Sequence, residues 1–326
     1  MKTLRRALAG FALTAFTLIA IAPTRAQDYP NRTMTFVVPY PAGGLVDALA
    51  RLIADRIGKS MGQTVVVENR PGGATMIGTR AVVSAPADGY TILLGNTNIS
   101  INPGLQKAMP YNAAKDLAPV AIINIVPTLF LVHPDVPVKS IKELIALAKA
   151  KPGQLNYGHG GHGSFPHLAV ELFKALTKTE ITAVPFTGAA PSLTATLGHH
   201  VDLLDNDIPT ALAYVQGGQL RALAITSNTR ASTLPDVPTM VEAGVPEYEA
   251  VAWQGIFVPA ATPKAVVQKL NAEIIKAIAS PDLKDIYAKQ GAGDIPAWTP
   301  EQFGDFLKKE GLRWKNAIEA AGIKPE

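Results

Sequence analysis

The run Thr35-Phe36-Val37-Val38-Pro39-Tyr40-Pro41-Ala42-Gly43-Gly44-Leu45-Val46-Asp47 decides the fold. Its first four residues are β-branched or aromatic, and the proline that follows stops a strand. Pro39 to Gly44 is turn chemistry. Leu45, Leu49, Leu52, Ile53, Arg56 and Ile57 then fall at helical spacing, and Gly58 to Gly62 ends the helix. A second strand, Thr64 to Val67, comes next. This is a βαβ unit whose helix opens from a glycine-rich turn, and chains of such units build parallel sheets flanked by helices.

The plan recurs further on. Leu155-Asn156-Tyr157 leads into Gly158-His159-Gly160-Gly161-His162-Gly163-Ser164, and Leu168, Ala169, Leu172, Phe173 and Leu176 mark a helical face, with Pro166 suited to its first turn. Strand Ile181 to Val184, a turn at Thr187-Gly188 and a short helix from about Ala189 to Leu197 complete the second unit. The apolar, β-branched runs Val120 to Val132 and Leu220 to Thr226 are expected to pass between two domains. Helices near Lys264 to Ala279, Ser280 to Gln290 and Pro300 to Ala321 then return to the first. The expected division is 27–125 with 227–326 as one domain and 126–226 as the other.

The opening residues read as an export signal. Lys2, Arg5 and Arg6 precede an apolar run from Ala7 to Ala22, too short for a comfortable membrane span, and Thr24-Arg25-Ala26 supplies small residues for cleavage after Ala26. The expectation is a mature protein in a bacterial periplasm. The formal charge of +4 equals those three charges plus Arg25, so the mature chain is close to neutral. With no basic stripe left, nucleic acid is not an expected partner. The chain has no cysteine, which excludes disulfides, thiolate metal sites and cysteine nucleophiles. A chain of 326 residues, 48% hydrophobic, can fill two cores.

Three glycine-rich turns open helices: Pro41 to Asp47, Gly158 to His167, and Phe186 to Pro191. Free backbone N–H groups at a helix N-terminus, with its partial positive charge, hold a carboxylate or phosphate. None of the turns contains Lys or Arg, so an anion there is held by dipoles and neutral donors, Ser164 and Thr187 among them. The alternative is that each is only a tight connection. Asp47, in a first helical turn, suits the dipole or a ligand amine. A hydrolase is disfavoured: Gly58-Lys59-Ser60-Met61-Gly62 fits G-x-S-x-G but closes a helix, and His159-Gly160-Gly161 lacks a placed nucleophile. His159, His162 and His167, with His199-His200 elsewhere, raise a metal carrier as a third reading. Their loose spacing and the lack of an acidic second shell argue against it, and neither metal nor cofactor is expected. Trp253 and Phe186 are either core or walls for a flat, apolar ligand body.

These motifs together resemble the periplasmic solute receptors of tripartite tricarboxylate transporters, the Bordetella uptake gene (Bug) family. Besides the turns, the resemblance rests on Val67-Glu68-Asn69-Arg70-Pro71-Gly72-Gly73, Asp88-Gly89-Tyr90-Thr91, Leu223-Ala224-Ile225-Thr226, Pro235-Asp236-Val237-Pro238-Thr239 and Trp253-Gln254-Gly255, in family order. It implies an α/β, two-domain periplasmic binding protein of the type II, Venus-flytrap kind, with two hinge-crossing strands. Such a protein is no enzyme; it closes, as a monomer, over a small organic carboxylate and serves two membrane subunits. The ligand-binding set so implied takes Tyr40, Ala42, Gly43, Gly44, Leu45 and Asp47 from the first turn, with Asn96. From the second it takes His159, Gly161, Gly163, Ser164, Phe165 and His167. Thr187, Gly188, Asn206 and Asp207 complete it. Backbone amides of Ala42 to Leu45 and Gly163 to Phe165 are expected to do most of the binding. Two departures bear on ligand choice: His159, where relatives more often have a serine nearby, and Asp205-Asn206-Asp207, where an aromatic residue commonly precedes Asp-Asn.

Overall fold

The chain of strands and helices begins β1 (Met34–Val38), α1 (Leu45–Met61), β2 (Val65–Asn69), α2 (Met76–Val83), β3 (Thr91–Asn96), α3 (Asn98–Leu105), α4 (Ala113–Asp116) and β4 (Leu117–Val126). It continues with β5 (Thr128–Val132), α5 (Ile141–Ala150), β6 (Asn156–His159), α6 (Phe165–Thr177), β7 (Thr182–Pro185), α7 (Ala189–Leu197), β8 (Leu203–Asp207), α8 (Ile208–Gln216) and β9 (Arg221–Ile225). Last come β10 (Ala252–Pro259), α9 (Lys264–Ile278), α10 (Pro281–Lys289) and α11 (Pro300–Ala320). This computed structural model describes residues 29–292 and 295–325, so the expected leader and its cleavage point lie outside the described residues.

Two five-stranded sheets form, in the orders β2-β1-β3-β10-β4 and β7-β6-β8-β5-β9. They share one plan. Three parallel strands, β2-β1-β3 or β7-β6-β8, are joined by an antiparallel fourth, β10 or β5. Each fourth strand is the one the chain enters just after leaving the other sheet.

The first passage splits the run Val120 to Val132. Pro127, which has no N–H to give a ladder, separates β4 in the first sheet from β5 in the second. The second passage falls later than expected. β9 ends inside the second sheet, where Ile225 bridges to Thr239, and Met240, Val245, Tyr248 and Ala250 sit in a core with Phe130, Tyr157 and Phe173. Residues 227–250 therefore pack with the second sheet, and the boundary placed at 226 moves to about 250. Apolar spacing in that loop-rich stretch was too irregular to reveal its buried side.

Helix α11 belongs to neither half alone. Phe303 near its start packs with Trp253 and Phe257 behind the first sheet, while Trp314, Ala317 and Ile318 join the core of the second. The buried Glu310 between them accepts from the indole N–H of Trp253 at 3.1 Å and of Trp314 at 2.9 Å. Burial raises its pKa, against the pull of Arg313.

Candidate functional site

Strand β1 of the first sheet and strands β6 and β7 of the second end at glycine-rich turns, and ligands of open α/β sheets bind beyond the carboxyl ends of such strands. In the first half, Gly43 has a φ of 87°, a left-handed conformation that glycine takes without strain. Its N–H donates to Asp47 Oδ2 at 2.9 Å, Arg51 Nε donates to the same oxygen at 3.0 Å, and Asn69 Nδ2 donates to Asp47 Oδ1 at 2.8 Å. Asn69 also donates to the Tyr40 carbonyl at 3.0 Å. Arg51, then Gly43 and Asn69, hold the Asp47 carboxyl down to about 2. Asp47 is 3% exposed, and these bonds outweigh the desolvation that opposes them. Its two oxygens are committed to shaping the turn. Of the amides expected to bind ligand here, that of Gly43 is already used.

The Tyr40 hydroxyl accepts from the Asn96 side-chain amide, and burial pushes its pKa up to about 12. Asn96 Oδ1 is buried without a partner among the described residues. Helix α1 starts at Leu45 with no side chain capping its first turn.

In the second half the imidazoles shape the loop. His159 Nδ1 lies 2.9 Å from the Gly161 carbonyl and donates to it, which leaves Nε2 a buried acceptor without a partner among the described residues. Gly163 N–H donates to His167 Nδ1 at 3.0 Å, so this amide, expected to serve the ligand, is also used. The two rings stack at 4.2 Å. Burial keeps both neutral, lowering His159 and pushing His167 down to about 3, with His159, His162 and Lys174 adding to the second shift. Among the described residues the three loop histidines do not form a group whose ligand atoms lie within 4.8 Å of one another. Ser164, the N-cap of α6, makes no cap bond, and its buried Oγ has no partner among the described residues. Phe165 stands edge-on to Trp314, 5.5 Å between centroids, and so serves packing. The next turn lies alongside: a Cβ on Gly160 would sit 3.0 Å from the Gly188 carbonyl carbon. Gly188, with φ of 132°, precedes α7, which is likewise uncapped. Gly161 and the exposed Thr187 complete the rim.

Strand β8 delivers the acidic part. Asp205 is buried, its pKa raised by burial, and it accepts from Thr128 Oγ1 at 2.6 Å. Asn206 Oδ1 accepts the Asp207 N–H at 2.9 Å. Asp207 has open surface yet stands deep among protein atoms, as a residue on a cleft wall does, and desolvation raises its pKa. It lines a cleft of about 520 Å³ with Val46, Leu49, Asn124, Val126 and Gln254, among others. A larger hollow of about 720 Å³ along α1 and β2 is shallower and lies at the outer edge; of the three uncapped turns, only the first contributes to the lining of the 520 Å³ cleft, through Val46.

Reading the sequence for turns missed Asn124 and Gln290, which bond at 2.9 Å in that cleft. Asn124 hides inside an apolar strand; its one signal is a polar residue amid Ile122, Ile123 and Ile125. Trp253 is core, 0% exposed. Ser60 lies in the last turn of α1, so the G-x-S-x-G match is not a nucleophile elbow.

The model of the tripartite tricarboxylate transporter family receptor matches residues 49–323. BugT of Bordetella pertussis is 36% identical over 98% of each chain. A Rhodopseudomonas palustris protein solved with adipate is 36% identical, superposes with a TM-score of 0.73, and covers 91% of this chain and 100% of its own. MatC of the same organism, with bound malate, is 32% identical with a TM-score of 0.68, over 89% of this chain and 100% of its own.

Proposed function

Since this chain belongs to the tripartite tricarboxylate transporter receptor family, whose members are periplasmic solute-binding receptors, we propose that it captures a small organic carboxylate between its two sheets. We place it in the periplasm, exported by a leader ending at Ala26, delivering its ligand to two membrane subunits and acting without catalysis. One observation carries the ligand class. Helices α1, α6 and α7 open at glycine-rich turns without a side-chain cap, so their first-turn N–H groups are left for an anion. Relatives solved with adipate and with malate support a diacid.

The ligand contacts come from the ends of these helices. In the first half they are the amides following Gly44, with Tyr40, Ala42 and Asn96 beside them. In the second half Phe165 and His167 offer main-chain N–H groups, while Ser164 Oγ, Thr187, Gly188 and His159 Nε2 offer further polar contacts. Helix α8 does not serve as an anion site, because Asp207 stands at its N-cap. Asp207 and Asn206 face the ligand's middle or a hydroxyl or amine on it. Closure follows from contacts to both halves, since only ligand that touches both favours the closed state.

Isothermal titration calorimetry against adipate, malate, other diacids, amino acids and sugars tests this reading. Binding by a carboxylate is the expected result. Binding confined to a neutral sugar would overturn it.

A further inference from the structure

The end of the second sheet away from the cleft carries side chains the ligand site does not use. β5 pairs with β8 from Thr128 opposite Asp207 to Val132 opposite Leu203. Those four steps set His133, the next residue, more than about 13 Å along the sheet from the cleft. Asp135 follows it, and His199 comes from the far end of α7. His133 Nδ1 lies 3.6 Å and His199 Nδ1 3.8 Å from one oxygen, Asp135 Oδ2. One ligand atom from each residue lies within 4.8 Å of the others.

Three further features point the same way. His133 Nδ1 accepts the Asp135 N–H at 3.2 Å, so this nitrogen is the unprotonated one, and an ion would take its lone pair in place of that bond. His199 Nε2 stands 3.3 Å from Asp202 Oδ1, the outer carboxylate that keeps a proton on the far nitrogen of a metal-bound imidazole. Asp202 is itself held, its Oδ2 accepting the Asn156 N–H at 2.9 Å. The backbone of His199 is the third. It has φ of 52°, and the bonds His199 N–H to the Thr196 carbonyl and His200 N–H to the Ala195 carbonyl make the helix-ending motif in which glycine is usual. Histidine in that conformation places its ring against His133, 4.2 Å between centroids and 14° from parallel. The negative end of the α7 dipole favours a cation there.

We propose that His133, Asp135 and His199 bind a borderline divalent transition-metal ion such as Zn2+ or Ni2+, at a site separate from the carboxylate cleft. Two imidazoles and one carboxylate are the donor set such ions take, with water completing the coordination. Binding tilts the stacked rings apart so that both Nδ1 lone pairs meet at the ion. Asp135 is exposed and His199 partly so, which leaves the carboxylate and the ring room to turn toward the ion.

The test is calorimetric titration of ZnCl2 and of NiCl2 into untagged, chelator-treated protein. One ion per chain is expected. His199→Gly, which suits the left-handed backbone and so keeps or raises the melting temperature, lowers the affinity at least tenfold, as does Asp135→Ala, while His200→Ala next door leaves it within twofold. Absence of binding by both ions, a loss below tenfold in His199→Gly, or an equal loss in His200→Ala overturns the proposal.

Discussion

Helices α5 and α11 begin very differently from α1, α6 and α7. Ser140 accepts from the Glu143 N–H at the start of α5, and Thr299 and Gln302 form a reciprocal capping box on α11. At α1, α6 and α7 the N-caps are Gly44, Ser164 and Gly188, and none of their side chains makes a cap bond. All five helices have the same unmet N–H groups and the same dipole. Helices α9 and α10 also start without a side-chain cap bond, so an uncapped start does not by itself mark a binding site. At α1, α6 and α7 it goes with a glycine-rich turn, and there the proposed ligand takes the place of a cap.

The contrast breaks most visibly at Gly163. Its φ is 68°, and a Cβ there would stand 2.4 Å from Leu105 Cδ1 on α3. Gly163→Ala is expected to shift the start of α6 and weaken the best-binding carboxylate of the panel at least about a hundredfold, roughly 2.7 kcal/mol, by calorimetry. Undiminished affinity would mean that α6 takes no part. Gly44→Asp converts a bare start into a capped one. A Cβ at Gly44 meets nothing within 4 Å, and the extended backbone suits a capping residue. The added carboxylate competes with the ligand, so affinity is expected to fall about tenfold (about 1.4 kcal/mol) while stability rises by a few tenths of a kcal/mol. The reverse change, Thr299→Ala on α11, should cost about 1 kcal/mol in urea unfolding and leave ligand affinity within about twofold.

The smallest effect belongs to Asp47, whose bonds shape a turn without capping it. Its pKa drops from 3.8 to about 2 on folding. A depressed carboxylate contributes stability above its unfolded value and loses it as pH falls through the folded one. The stability gap between the protein and Asp47→Asn, ~0.5 kcal/mol because solvent screens the half-exposed Arg51, is expected to persist at pH 6 and to close between about pH 4 and 2. A gap that widened on acidification would contradict the assigned bonds.

Much of this was legible in the chain. The spacing of Leu49, Leu52 and Ile53 after Gly44, and of Leu168 and Leu172 after Ser164, identifies the helices and where they start, because burial of one face imposes the period. Several details were not. Gly43 and Gly163 appear as free donors until Asp47 and His167, four residues on in each case, are seen to take their N–H groups. That pairing depends on rotamers that spacing does not fix. The packing of residues 227–250 against the second sheet is not legible in the sequence, because Met240, Val245 and Tyr248 are buried from turns, where no period marks the inner side. The grouping of His133 and Asp135 with His199 was hidden for a plainer reason: Asp135 and His199 lie 64 positions apart in sequence, and antiparallel pairing of β5 with β8 brings their neighbourhoods together.

Helix α11 carries a mechanical implication. Over its 21 residues, about 31 Å, it threads the hydrophobic interior of both halves, Phe303 at one end and Trp314 at the other. Neither half can melt without stripping apolar cover from its neighbour. Calorimetric heating should therefore give one endotherm rather than two, and the closure proposed above would turn about this shared axle instead of pulling the halves apart.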